Sequence, residues 1–266
     1  MTVRRFRALL KKELADLARQ RMVLATVLLA PTLLTAVAIG TLVAMTNVPV
    51  DDLGPEDLEV LSRTVDCAGL DGPSCLQLSI ASMHRILFLV IPAILPTAVA
   101  AYAVVGEKTE RTLEALLATP IRTTELLLAK ATAAVVPAIV ATWVCAAVHA
   151  TALATLLPRG VVAQVYDLSW LLALLVTAPL VALGSVLVSM MVSARSIDPR
   201  SAQQVGALVV VPLVGAIVGQ ALGVALLTPT VLLVATVVLA GVDVLLAWLT
   251  VQLFERETIL TRWTGL

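Results

Sequence analysis

The chain has 266 residues, of which 60% are hydrophobic and 14% charged, and its 18 Lys and Arg balance 18 Asp and Glu. So apolar a composition, with a mean hydropathy of +1.02, excludes an ordinary soluble domain and places the chain in a bilayer. The neutral balance lacks the basic footprint that binding of nucleic acid requires, so no nucleic-acid partner is expected.

Residues 1–21 carry an apolar stripe of Val3, Phe6, Leu10, Leu14 and Leu17 with lysines and arginines between. That spacing describes an amphipathic helix lying in the cytoplasmic headgroups, the alternative being a frayed basic tail. The first apolar run, Met22–Met45, is too long for the core of a signal peptide, and an uncleaved first span is expected. About 20 apolar residues cross the hydrocarbon. By that measure five further spans follow at Arg85–Val105, Leu126–Leu157, Ser169–Ala194, Val205–Leu227 and Thr230–Phe254. The expected fold is therefore an all-α, polytopic membrane protein: an interfacial helix, a six-helix transmembrane domain over residues 22–254, and a tail over 255–266.

Loop charge sets the orientation. The cytoplasmic segments would hold 15 Lys and Arg, against only Arg63, Arg85 and Arg159 outside. Both termini are thus expected in the cytoplasm and the chain in the cell membrane. The external loop, residues 46–84, is acidic and contains Cys67 and Cys75 in CAGLDGPSC. Gly69, Gly72 and Pro73 permit a tight reversal there, and outside the cytoplasm the pair can oxidise; the alternative is two free thiols.

Between the second and third spans lies a charged island, Gly106–Lys130, GEKTERTLEALLATPIRTTELLLAK. It is too charged for hydrocarbon, yet Leu113, Leu116 and Leu117 recur at helical spacing. This describes a short amphipathic helix at the cytoplasmic surface, over residues 106–125, with one face available to a partner.

Other features are fewer. Gly215, Gly219 and Gly223 recur every four residues in the fifth span, a spacing that lets helix backbones approach closely. It serves either a homodimer seam or contacts within one protomer. Asp243 lies deep in the sixth span, where an ionisable group is costly and often functional. It either binds a cation or polar substrate group, or is structural, protonated or bonded to a neighbour such as Gln220 or Thr236. His149, in the third span, is read as a packed neutral histidine rather than a proton carrier, and Cys145 as a small apolar residue. A metal site is not expected, because His84 and His149 stand far apart and neither has ligand spacing to a cysteine. GEKT at Gly106–Thr109 lacks the upstream glycine of a P-loop, and G-x-S-x-G and H-E-x-x-H are absent, so no catalytic residues are assigned.

The run from Glu107 to Glu114, then Leu116-Leu117-Ala118-Thr119-Pro120 and Glu125-Leu126-Leu127-Leu128-Ala129-Lys130, resembles the ABC-2 type of ABC-transporter permease subunits. A weaker echo is Ser193-Ala194-Arg195 followed by Ala202-Gln203-Gln204. The resemblance implies that the island is a coupling helix seated in a cleft on a separate ABC ATPase subunit. Glu107, Glu110, Arg111 and Glu114 would make charged contacts there, Leu113, Leu116 and Leu117 an apolar anchor, and Thr119-Pro120 the end of the helix. It further implies two permeases with two ATPases, a dimer meeting through the first and fifth spans, and ATP with Mg on the partner rather than on this chain. Export is the expected direction. Thr228-Pro229 leaves little room for the external re-entrant helices common in such relatives, so that element is either reduced or made by splitting the fifth span. A stand-alone ion- or proton-coupled carrier, or a membrane enzyme, would need clustered intramembrane carboxylates, histidines or nucleophiles, and the sequence shows only scattered ones.

Overall fold

The computed structural model describes residues 3–46, 65, 67, 69–109, 122–195, 199–222 and 228–254. Among these, helices follow one another as α1 (Val3–Arg19), α2 (Arg21–Thr46), α3 (Gly72–Thr109), α4 (Thr123–Leu156), α5 (Arg159–Val165) and α6 (Leu168–Leu172). After a π turn over Ala173–Thr177 come α7 (Ala178–Arg195), α8 (Pro199–Gly206), a 3-10 turn over Ala207–Val210, α9 (Val211–Ala221) and α10 (Pro229–Leu253). Six stretches are long and apolar enough to span a membrane: Val23–Thr46, Gly72–Ala100, Thr123–Leu156, Leu168–Ala194, Gln203–Gln220 and Pro229–Leu253. The fold is an all-α polytopic bundle.

Local chemistry explains where several helices begin and bend. Thr228 caps α10 by accepting from the Val231 amide, with Pro229 in the first turn where a missing N–H costs nothing. Asp167 caps α6 through the Trp170 amide at 2.9 Å. Pro179 has no amide to offer the preceding turn, and there the helix widens into the π turn; Trp143 Nε1 donates to the carbonyl of Leu174 within it at 3.1 Å.

Helix α3 is the buried centre and lies chiefly against α7, α4 and α2. Three apolar layers stack along the bundle. The layer nearest α1 joins Val23, Val99, Leu127, Val186, Met190 and Phe254. The middle layer gathers Phe88, Ile91, Leu95, Ala138, Trp170 and Leu232, and the layer farthest from α1 Leu42, Leu78, Leu153, Val161 and Val165. Small residues let α7 come close: Ser185, Ser189 and Ser193 are fully buried, and Ser189 Oγ donates to the Thr97 carbonyl on α3. A Cβ on Gly206 would sit 3.2 Å from Ser189 Oγ, so α8 enters this crossing on a glycine. In contrast, α2, the fifth span and α10 present long apolar faces outward, among them Leu29, Leu33, Val211, Val218, Val237 and Trp248.

Two boundaries differ from the sequence reading. The second span begins at Gly72, not Arg85; its first turns carry Ser74, Ser79, Ser82, His84 and Arg85, all buried between helices rather than in solvent. Polar residues that face protein lower local hydropathy without ending a helix. The segment after the third span also contains the short helix α5, which starts behind Pro158.

Candidate functional site

The island's flanks are described, its centre is not. Glu107 lies on the last turns of α3, but its side chain lies outside the described residues, as do Glu110, Arg111, Leu113, Glu114, Leu116, Leu117, Thr119 and Pro120. Chain is described again from Arg122, and α4 starts at Thr123 with Glu125 in its first turn, a favourable sign at a helix N-terminus. Helix α1 lies across this start. Leu9 packs with Leu126 and Ala129, and Phe6 leans on the same cluster. Beside them Lys130 Nζ reaches Glu13 Oε1 at 3.0 Å with both side chains almost sealed from solvent, at 2% and 7% exposure. Lys12 flanks the pair, 3.2 Å from Glu13 and from Asp16. Leu14 remains 41% exposed on the other side of α1, as suits a helix at a lipid surface. Helix α1 is thus fastened to the helix that the island feeds.

Toward the end of the bundle away from α1, side chains from four elements form a polar string. Thr41 Oγ1 on α2 lies 3.0 Å from His84 Nε2 on α3. His84 Nδ1 is 3.4 Å from His149 Nε2 on α4, whose Nδ1 is 3.0 Å from the Tyr166 hydroxyl after α5. The imidazoles meet edge to face at 5.4 Å, with Phe88 against His149. Next to the string Arg85 Nη2 bonds Asp167 Oδ1 at 2.8 Å, so one carboxylate caps α6 and holds a buried guanidinium. Sequence spacing had separated His84 from His149 by 65 positions; only the crossing of α3 and α4 unites them. Burial pushes the Tyr166 phenol above its ordinary pKa, so it remains a neutral hydroxyl. Among the described residues no group of three or more His, Cys, Asp or Glu could hold a metal ion.

Cys67 and Cys75 are joined by a disulfide with Cα atoms 5.3 Å apart, and Gly69 between them takes a positive φ of 79°. Cys145 is buried and free.

Asp243 is 2% exposed, and neither carboxylate oxygen has a hydrogen-bond partner among the described residues. Gln220 is not its partner, since both Asp243 oxygens are unmatched, as is Gln220 Oε1. Thr236 bonds Thr177 at 2.9 Å and the Leu232 carbonyl instead. Asp243 packs on Gly184, where a Cβ would sit 2.6 Å from Oδ1, and it lines a cavity of about 440 Å³ between α3, α7, the fifth span and α10. In the fifth span, a Cβ on Gly215 would meet nothing within 4 Å, so no close helix approach inside the protomer requires that glycine. Gly219 sits one turn further along α9, and Gly223 lies outside the described residues.

Six apolar helices, the second of them buried at the centre, with α1 clamped to one end of the bundle, define a multi-pass membrane subunit. The family of ABC-2 family transporter proteins matches residues 7–252. The chain belongs to that family, and it is therefore in general terms an ABC-transporter permease, a membrane component whose family works with ABC ATPases. No curated protein aligns with it significantly.

Proposed function

We propose that this chain is the transmembrane permease subunit of an ABC exporter, forming the substrate path and driven by a separate ATPase subunit. The observation that carries this reading is the charged, leucine-bearing island of residues 106–125 in a chain whose family match spans residues 7–252 and whose sequence has no P-loop. ATP and Mg belong to the partner. Leu113, Leu116 and Leu117 anchor the island in the partner's cleft, and Glu107, Glu110, Arg111 and Glu114 ring the contact, with Thr119-Pro120 closing the helix. Two permeases and two ATPases make the assembly, with Gly215, Gly219 and Gly223 on the permease seam and both termini in the cytoplasm. The fastening of α1 to α4 through Glu13 and Lys130 supports the reading, because it ties a surface helix to the first turns beyond the docking segment.

The test is co-purification of this chain with an ABC ATPase, with Leu113→Glu and Leu116→Glu combined. Loss of the ATPase from the double variant, with the bundle intact, is the expected result. Full assembly and unimpaired ATP-driven transport in that variant would sink the docking role.

A further inference from the structure

The cavity beside Asp243 is chemically one-sided. Its walls include Leu89, Val181, Pro212, Leu213, Leu239 and Leu246, and among the described residues the only polar side chains on it are Thr177, Ser185 and Asp243. Thr177 is bonded to Thr236, and the Ser185 hydroxyl donates to the Val181 carbonyl at 2.7 Å. Asp243 therefore presents the one polar function on this wall that no described residue engages, and no lysine or arginine among the described residues lines the space.

A carboxyl kept merely for structure in a membrane bundle bonds a neighbouring helix, because an unsatisfied polar group in apolar surroundings is expensive. Among the described residues Asp243 does not do this. Its seat on Gly184, where any larger residue would collide with Oδ1, gives it room between α7 and α10 without giving it a partner. A volume of about 440 Å³ falls within the roughly 300–1,000 Å³ usual for ligand sites. We infer that this cavity binds a lipophilic cation, a bulky apolar body bearing one positive charge, with Asp243 as its counter-charge. A sugar or other polyhydroxylated occupant would leave its hydroxyls unmatched against these walls, and an anion would meet the carboxylate. The inference rests on the permease reading, which it deepens by naming the substrate class.

Tetraphenylphosphonium binding to the purified full chain in nanodiscs of zwitterionic lipid, corrected with empty nanodiscs, tests it without any ATPase. Saturable binding is expected in the wild type and at least tenfold weaker binding in Asp243→Asn. Tetraphenylborate, of the same shape and opposite charge, should show no saturable binding. Should Asp243→Asn fail to fold, Ala216→Phe fills the cavity with the carboxylate left in place, and it too should lose the cation. Equal affinity in the folded Asp243→Asn chain, equal binding of the anion, or no saturable binding in the wild type would each overturn the assignment; the last is also what a second copy filling the cavity would give. A chain that assembles with and stimulates an ATPase but binds no cation refutes this ligand alone. One that binds the cation yet never assembles with an ATPase refutes the permease reading alone.

Discussion

Lys130 Nζ on α4 meets Glu13 Oε1 on α1 at 3.0 Å in a setting almost closed to water. An ion pair so placed is costly to break from one side, because the remaining charge stays buried; the loss is about 3–5 kcal/mol in comparable cases. Glu13→Ala should therefore lower the melting temperature of the detergent-solubilised protein by several degrees. Combining it with Lys130→Met, which removes the second charge and keeps an apolar stem, should recover most of that loss. If the double variant melts below the single one, the pair is not what fastens α1.

Asp167 performs two tasks, as cap of α6 and as partner of Arg85. Asparagine retains capping ability while losing the charge, whereas alanine loses both. The cap alone is worth about 1 kcal/mol, so Asp167→Ala should be less stable than Asp167→Asn by about that amount. Equal melting of the two variants would leave the cap without weight.

Tyr166 stands outside the spanning segments, and its phenol is held above the usual value of 10.0 by burial. A raised folded pKa means stability intact below pH 10 and declining as pH climbs above it, because only the unfolded chain then releases the proton. The chain has two tyrosines, so a Tyr102→Phe background isolates Tyr166. Its absorbance at 295 nm should stay flat past pH 10 until the protein unfolds, and Tyr166→Phe should flatten the alkaline loss of stability. Ordinary titration near pH 10 in the folded protein would contradict its burial.

The disulfide between Cys67 and Cys75 closes a loop of sequence separation 8, for which the chain-entropy account gives about 2–3 kcal/mol. Maleimide labelling should modify neither cysteine until reductant is added, after which both react while buried Cys145 stays protected. Labelling before reduction would show the thiols free.

Gly215 has open space where a side chain would go. Gly215→Leu should leave the melting of the monomer unchanged within about 0.5 kcal/mol, the usual range for exposed positions. Dimer formation should weaken, as read by cross-linking in membranes. An unaffected dimer removes Gly215 from the seam.

Run length alone made the six spans legible, because nothing but a membrane rewards so many consecutive Leu, Val and Ala. Of the stripe expected on α1, Phe6 and Leu17 pack inward, but Leu14 stays exposed and the buried contact is Leu9, which the stripe did not include. The start of α3 was not, as Ser79, Ser82 and Arg85 look like loop until the helices that bury them are in place. Nor was the string through His84 and His149, which depends on how two distant helices cross. Asp243 stood out as a lone carboxyl, but its isolation from Gln220 and Thr236 belongs to tertiary structure. The docking residues of the island remain a reading of pattern, since their side chains lie outside the described residues.

Helix α3 runs unbroken for 38 residues from Gly72 to Thr109, about 57 Å at 1.5 Å per residue. It enters the island at one end and holds Cys75 at the other. Pro92 and Pro96 near its middle provide a joint where such a rod can flex. A probe attached near the disulfide would therefore read, at one end of the bundle, a displacement begun at the end that the island joins, as the tip of a lever reports the hand on its handle.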